Sequence, residues 1–279
     1  MNKTFELRNG KKIPCIGYGT WQIGDEKTAE DSVKEAIRMG YRHIDTAAVY
    51  GNEEAVGRGL RAANVPREEL FVTGKLGNTK RGYHSAVSEF YATLEKLGLE
   101  DLDLYLIHWP ASRHRYDDWE QINLDTWKAF TELYQQGKIK AIGVSNFLPH
   151  HLEALMQTEI MPMVNQIEFH PGQLQNETLE FCRNHHILVE AWSPLGTGKM
   201  LSHELLTKLA DKYHKSVAQL CLRWCHQHQI IPLPKSTTPS RMSENLSIFD
   251  FEIDAYDMAQ IDQMPYFGGS GLHPDEIDF

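Results

Sequence analysis

The chain has 279 residues, enough for one large α/β domain or two ordinary ones with a substantial core. Its 28 basic and 38 acidic residues give a net charge of −10, and the basic residues are scattered, which argues against nucleic acid as the main partner. The first segment, M-N-K-T-F-E-L-R-N-G, lacks the apolar stretch of a secretory signal, and no later run approaches the ~20 apolar residues of a membrane span, so the expected location is the cytoplasm, off the membrane.

In chain order, T-F-E-L-R-N-G-K-K-I-P reads as a hairpin turning at Asn9-Gly10, placed to cap the bottom of a barrel. Val/Ile-rich runs then predict strands near 14–19, 42–46, 70–75, 102–108, 139–144, 164–169, 187–192 and 230–234. Helix-period runs lie near 28–39, 53–63, 82–97, 124–136, 149–157, 175–185, 202–213 and 216–228. Two more helices are expected after the eighth strand, at 239–248 and 254–264, and the Gly-, Pro- and Asp-rich segment from Pro265 to Phe279 reads as a loop. With no linker and no break in composition, eight strands alternating with helices predict one closed (β/α)8 barrel domain over residues 1–279. The rival, a doubly wound dinucleotide fold, calls for G-x-G-x-x-G after the first strand, where this chain has G-Y-G-T-W-Q.

Asp45, Tyr50, Lys75 and His108 each stand at or just past the end of a different expected strand. Read singly, each has an ordinary structural explanation, as a packing ring, a solvated amine or a satisfied core donor. Parallel barrel strands bring their C-terminal ends to one rim, so the four can share a site. A free phenol, with a pKa of about 10, is a poor acid near neutrality, and an adjacent ammonium lowers that value. Lys75 can supply the charge, Asp45 can hold Lys75, and His108 can donate a hydrogen bond to a carbonyl, which makes a proton relay for carbonyl reduction.

Cys15, Cys182, Cys221 and Cys225 are too few and too irregularly spaced for a disulfide framework. Cys221 and Cys225 lie four apart on an expected helix with His226 and His228 nearby, but no C-x-x-C or H-E-x-x-H accompanies them, so buried thiols are expected and no metal. A metal-dependent barrel hydrolase would also need a His-x-His near the first strand, which the sequence lacks.

Six ordered segments carry a resemblance: G-Y-R-H-I-D-T-A-A-V-Y-G-N-E-E-A-V-G, L-D-L-Y-L-I-H-W-P, G-V-S-N-F, V-N-Q-I-E-F-H-P, A-W-S-P-L-G and L-P-K-S-T-T-P-S-R-M-S-E-N. Through them the chain resembles the aldo-keto reductase family. The resemblance implies an NADPH-dependent reductase of aldehydes and ketones on a (β/α)8 barrel, with Asp45, Tyr50, Lys75 and His108 matching the catalytic tetrad. It assigns Ser145, Asn146 and Gln166 to the nicotinamide carboxamide and Trp192 to the face of the ring; Gly19 and Thr20 fall in the cofactor-contacting end of the first strand. Ser193, Leu195 and Gly196 match the pyrophosphate segment, Lys235, Ser236 and Arg241 the adenosine 2′-phosphate segment, and Glu244 and Asn245 the adenine segment. The physical reading agrees at the phosphate end, since barrels often hold phosphate after the eighth strand and two cations with a hydroxyl suit a phosphomonoester. Trp21 and Trp109 resemble the aromatic walls of the substrate pocket, with Tyr116 and Trp119 as weaker additions from the following loop.

The chain departs from many relatives at Gly74, before the catalytic-type Lys, at Gly77 two residues after it, and at Gly172 in H-P-G-Q, where bulkier residues are frequent. With the short segment after Pro265, these departures predict an open pocket for a small carbonyl substrate such as a dicarbonyl, keto sugar or aldehyde, in a monomer. The same fold also serves as a nucleotide-sensing subunit of ion channels, a reading opposed by the presence of all four tetrad residue types.

Overall fold

The computed structural model describes residues 3–279 and shows an eight-stranded parallel sheet in strict chain order, wrapped by helices. Ahead of it stands the expected hairpin, β1 (Thr4–Glu6) and β2 (Lys12–Pro14), turning at Gly10. Asn9 donates through Nδ2 to Lys140 O at 3.0 Å, which fastens the hairpin to the barrel end opposite the catalytic-type rim. Pro14 therefore belongs to the hairpin, and the first barrel strand, β3, is only Tyr18–Gly19.

The other barrel strands are β4 (His43–Asp45), β5 (Phe71–Leu76), β6 (Leu104–Ile107), β7 (Ile142–Ser145), β8 (Val164–Glu168), β9 (Leu188–Trp192) and β10 (Ile231–Pro232). They are buried on both faces, which is why they read as apolar runs rather than alternating ones. Gly17 N–H donates to Pro232 O and Gly19 N–H to Pro234 O, both at 3.0 Å, joining the first strand to the last and closing the sheet. Pro232 and Pro234 have no N–H of their own, so β10 contributes acceptors and stays short. Gly19 suits this seam because a Cβ there would stand 3.2 Å from Leu233 O.

The helices are α1 (Glu26–Met39), α2 (Glu53–Ala62), α3 (Tyr83–Leu97), α4 (Trp119–Gln135), α5 (Pro149–Leu155), α6 (Asn176–Asn184), α7 (Glu204–Lys212), α8 (Val217–Gln227), α9 (Pro239–Leu246) and α10 (Ala255–Asp262). Local chemistry sets several ends: Asp25 caps α1 by accepting from Thr28 N–H at 2.7 Å, and Ser216 with Gln219 forms a capping box on α8. Two helices follow the last strand, as expected, and α9 packs between α8 and α1 to complete the helical ring. The strict alternation breaks only between β9 and β10, where both α7 and α8 intervene; α7 packs against α10. The fourth helix begins five residues before its expected start, at Trp119. Among the described residues, no helix is long and apolar enough to cross a membrane.

Candidate active site

The C-terminal rim brings the four sequence-selected residues together. Lys75, on β5, has no solvent exposure, and its Nζ donates to Asp45 Oδ1 at 2.5 Å, to Thr46 O at 3.2 Å and to Tyr50 OH at 3.2 Å. Burial alone would depress the ammonium, but the Asp45 carboxylate and the Tyr50 hydroxyl outweigh it and leave Lys75 above its ordinary value. Tyr50 closes the 3-10 turn Ala48–Tyr50, whose exit at Gly51 is left-handed (φ 68°). Its phenol departs from expectation: burial pushes it above its ordinary value, Asp45 adds to that, and Lys75 offsets only part. The resting group is therefore a neutral phenol, with the Lys75 charge in place to stabilise the phenolate that remains after a proton leaves.

His108 follows β6, its ring 5.7 Å from that of Tyr50 and nearly perpendicular to it. Burial, reinforced by Lys75 and Arg81, holds the imidazole well below its ordinary value, so it is neutral near pH 7. His108 can donate a hydrogen bond but is not a cationic acid.

Beneath the relay lies a polar floor. Gln166, on β8, donates through Nε2 to Asp45 Oδ2 at 2.9 Å and to Glu190 Oε2 at 2.8 Å. Asn146 donates to His108 O at 3.0 Å and accepts from Trp192 Nε1 at 2.8 Å, so the two carboxamide-type residues and the Trp are already oriented by neighbours. Ser145 stands behind this layer, donating to Gln166 O at 2.7 Å and accepting from Asn146 Nδ2 at 3.1 Å. Thr20, buried and bonded to Asp45 O at 2.9 Å, and Gly196, buried in a left-handed turn (φ 53°), also lie behind the wall. These three shape the cleft without lining it.

A cleft of about 740 Å³ runs from Asp45, Tyr50 and His108 past Trp192 to the segment after β10. Gly19, Ser193 and Leu195 border its middle, and Ser236, Glu244 and Asn245 its far end, with Lys235 and Arg241 beside them. Lys235 and Arg241 are exposed and pair with no carboxylate among the described residues. Two free cations at one end of a cleft, in a protein of net charge −10, fit the phosphates of a dinucleotide. Glu244 is tied to Ser216 Oγ at 2.5 Å, which links the far end to the start of α8.

At the near end, Trp21 (43% exposed) and the largely buried Trp109 form the expected walls. Tyr116 and Trp119 do not line the cleft: Tyr116 lies under the Arg81 and Arg115 guanidinia, and Trp119 packs edge-on against His150 and His151. The segment after Pro265 does not leave the cleft open on that side, contrary to expectation. Ser270 donates twice to Glu168, Ser112 Oγ donates to Ile277 O at 2.7 Å, and Leu272 and Phe279 line the cleft, with Phe279 edge-on to Trp109. Gly172 explains one departure: its left-handed backbone (φ 83°) lies under Phe267, whose backbone atoms would be 3.0 Å from a Cβ. Gly77 leaves the space beside Ala48 and Lys80 unfilled. Sequence reading missed Val49, Asn78, Leu272 and Phe279; only Val49, next to Tyr50, carried a local hint.

Cys221 and Cys225 are buried thiols pushed far up by desolvation. His226 packs between Phe5 and Phe249, and His228 bonds Asp262 at 2.8 Å, so these four groups form no ligand set. A different cluster, His150, His151 and Asp275, has metal-ligand types. His150 Nε2 bonds Asp275 Oδ1 at 2.8 Å and His151 Nδ1 accepts from Leu148 N–H, so the group reads as a latch on the segment after Pro265.

A closed barrel with a buried ion pair under a rim phenol, a neutral imidazole opposite and a cation-ended cleft defines a nucleotide-cleft carbonyl-chemistry barrel. Residues 15–265 match the model of the Aldo/keto reductase family. The chain is 48% identical over 280 residues to glyoxal reductase of Bacillus subtilis (strain 168), covering 100% of this chain and 99% of that protein. It is 39% identical to methylglyoxal reductase DkgA of Escherichia coli (strain K12), over 98% and 97% of the two chains. A crystal structure of a Gox0644 variant in complex with NADPH superposes with a TM-score of 0.92 at 40% identity, over all of both chains. The chain belongs to the aldo-keto reductase family.

The neutral phenol and neutral imidazole lead to a pH profile. Carbonyl reduction, measured as kcat/KM, is expected to show no inflection from His108 between about pH 5 and about pH 8, and to decline only on the alkaline side as Tyr50 ionises. A clear loss of rate on raising the pH through about 6.5 would mean that an imidazolium supplies the proton.

Proposed function

We propose that this chain, an NADP-dependent oxidoreductase of the aldo-keto reductase family, reduces small aldehydes and dicarbonyls to alcohols with Tyr50 as the proton donor. The observation that carries the reading is the Asp45–Lys75–Tyr50 chain, with separations of 2.5 and 3.2 Å, ending at the cleft. The bound nicotinamide cofactor supplies hydride. The carbonyl oxygen sits between Tyr50 and His108, where the neutral imidazole donates a hydrogen bond and polarises it. As negative charge builds on that oxygen, the Tyr50 hydroxyl donates its proton, since an alkoxide is far more basic than a phenolate. Lys75 stabilises the phenolate left behind, and Asp45 keeps Lys75 charged and aimed. Gln166, Asn146 and Trp192 orient the nicotinamide end of the cofactor, and Lys235 and Arg241 hold the phosphate end.

Small substrates are favoured because Trp21, Trp109, Leu272 and Phe279 narrow the near end and the segment after Pro265 is fastened across it. Relatives named glyoxal reductase and methylglyoxal reductase support the same class. Four free buried cysteines suit a reducing cytoplasm.

Tyr50→Phe is expected to lower reduction by roughly 10²–10⁴-fold with cofactor affinity nearly unchanged, as for loss of a general acid, and Lys75→Met to be comparably damaging. Retention of half the rate in Tyr50→Phe, with chemistry rate-limiting, would remove Tyr50 from this role.

Steady-state comparison should give methylglyoxal or substituted benzaldehydes a higher kcat/KM than a steroid ketone. The reverse order would overturn the small-carbonyl assignment.

NADPH should bind more tightly than NADH. Charge-assisted hydrogen bonds of roughly 1–3 kcal/mol correspond to about tenfold per 1.4 kcal/mol. Arg241→Ala should then weaken NADPH at least about tenfold and NADH hardly at all. Fluorescence titration showing equal losses for both would mean that Arg241 shapes the loop instead.

A further inference from the structure

Beside the relay lies a buried carboxyl that it does not use. Glu190, on β9, has no solvent exposure, and Gln166 is the one side chain that bridges it to Asp45. His43 on β4 approaches Glu190 Oε1 at 3.7 Å, but its Nε2 is engaged with Thr73 Oγ1 at 2.9 Å, and burial depresses the imidazole to about 3, so it carries no charge near neutrality. Among the described residues, Lys75 on β5 is the one cation acting on Glu190, and it is committed to Asp45. On the other flank, β10 places Ile231 beside Glu190 and brings no ionisable group.

The barrel interior therefore holds two carboxyls against one ammonium. With no cation of its own, Glu190 keeps its proton: burial first, then the Asp45 charge, push its carboxyl up to about 8. Gln166 commits its amide nitrogen to both carboxyls, so its Oε1, which accepts no hydrogen bond among the described residues, is the amide atom free to meet a ligand in the cleft. Gln166 thus stands between Glu190 and the part of the cleft that the proposed function gives to the nicotinamide.

We propose that Glu190 is a proton site linked to the redox state of the cofactor, protonated with NADPH and giving its proton to solvent when the positively charged oxidised cofactor binds. The inference rests on the nicotinamide orientation proposed above. The linked step is Glu190–COOH to Glu190–COO⁻ plus H⁺, with no electron transferred to or from the residue. NADP⁺ and NADPH carry the same phosphates, so a comparison between them isolates the ring charge. In a buried setting one unit charge at this remove is worth roughly three- to tenfold in affinity.

The sign follows from linkage. Below its folded value Glu190 must release a proton to meet the oxidised ring; above it the carboxylate is already formed. The ratio of Kd(NADPH) to Kd(NADP⁺) should therefore rise roughly three- to tenfold from about pH 6 to about pH 9 and then level off. Fluorescence titration of both cofactors tests this in the wild type and in Glu190→Gln, whose amide oxygen can still accept from Gln166. In the variant the ratio should be flat. Calorimetry in buffers of different ionisation enthalpy should show proton release when NADP⁺, but not NADPH, binds wild type near pH 7.5, a reading that needs no variant.

Folding gives an independent check on the protonated state, because a carboxyl raised in the folded chain makes stability fall as pH rises from 4.5 towards 8. Glu190→Gln should lose that slope. Tight binding with a pH-independent ratio in wild type, or an unaltered ratio profile in Glu190→Gln, would overturn this inference alone. Failure of the wild type to bind either cofactor would overturn the cofactor reading with it.

Discussion

The Lys75–Asp45 pair is the contact on which the rest of the site depends. Removing two charges from water is costly, and a buried ion pair often adds little net stability compared with apolar packing. What the pair gives this protein is a cation that cannot move. Asp45 sits at the end of β4 and Lys75 inside β5, adjacent paired strands, so the 2.5 Å contact is part of the barrel wall. Tyr50 needs only the short turn after β4 to reach the ammonium. Because Lys75 is buried and bonded to Asp45, its charge would be in place, in the proposed mechanism, when a phenolate forms, with little reorganisation.

That placement depends in turn on closure of the sheet. Gly17 and Gly19 bring β3 against the proline-bearing β10, and the segment running from that seam into α9 carries Lys235 and Arg241. The cleft therefore has its proton chemistry at β4–β6 and its anion-attracting end at the seam, with Gln166 and Trp192 on the strands between. Electrostatics separates the ends: one buried, internally neutralised cation under the phenol, and two exposed, unpaired ones at the far end. Only the second pair can attract an anionic ligand from solution.

The meeting of Asp45, Tyr50, Lys75 and His108 was legible in the sequence because strand ends in a parallel barrel share a rim, so four polar residues ending apolar runs point to one place. The strands and helices were legible from their periods, with errors at element ends, as at the first turn of α4 and at Pro14 in the hairpin. The near-end wall was not legible. Leu272 and Phe279 lie in a segment without regular period, and what carries them to the cleft is a set of tertiary bonds, Ser270 to Glu168 and Ser112 to Ile277, between residues more than a hundred positions apart. The net effect on Tyr50 was also hidden, since burial and Lys75 act in opposite directions and only the folded geometry decides the sign.

These two kinds of residue constrain substrate in different ways. Asp45 and Lys75 lie in paired strands, where a shift of one side chain disturbs neighbours on both sides and is opposed by close packing. The segment after Pro265 is held by a few polar bonds and by the bare backbone of Gly172, across which Phe267 passes. A side chain at position 172 would displace that segment without touching Asp45, Lys75 or Tyr50. Pocket width can therefore change while the proton chemistry stays fixed, and the Gly at 172 is a choice of how closely the near end is covered rather than of what reaction occurs there.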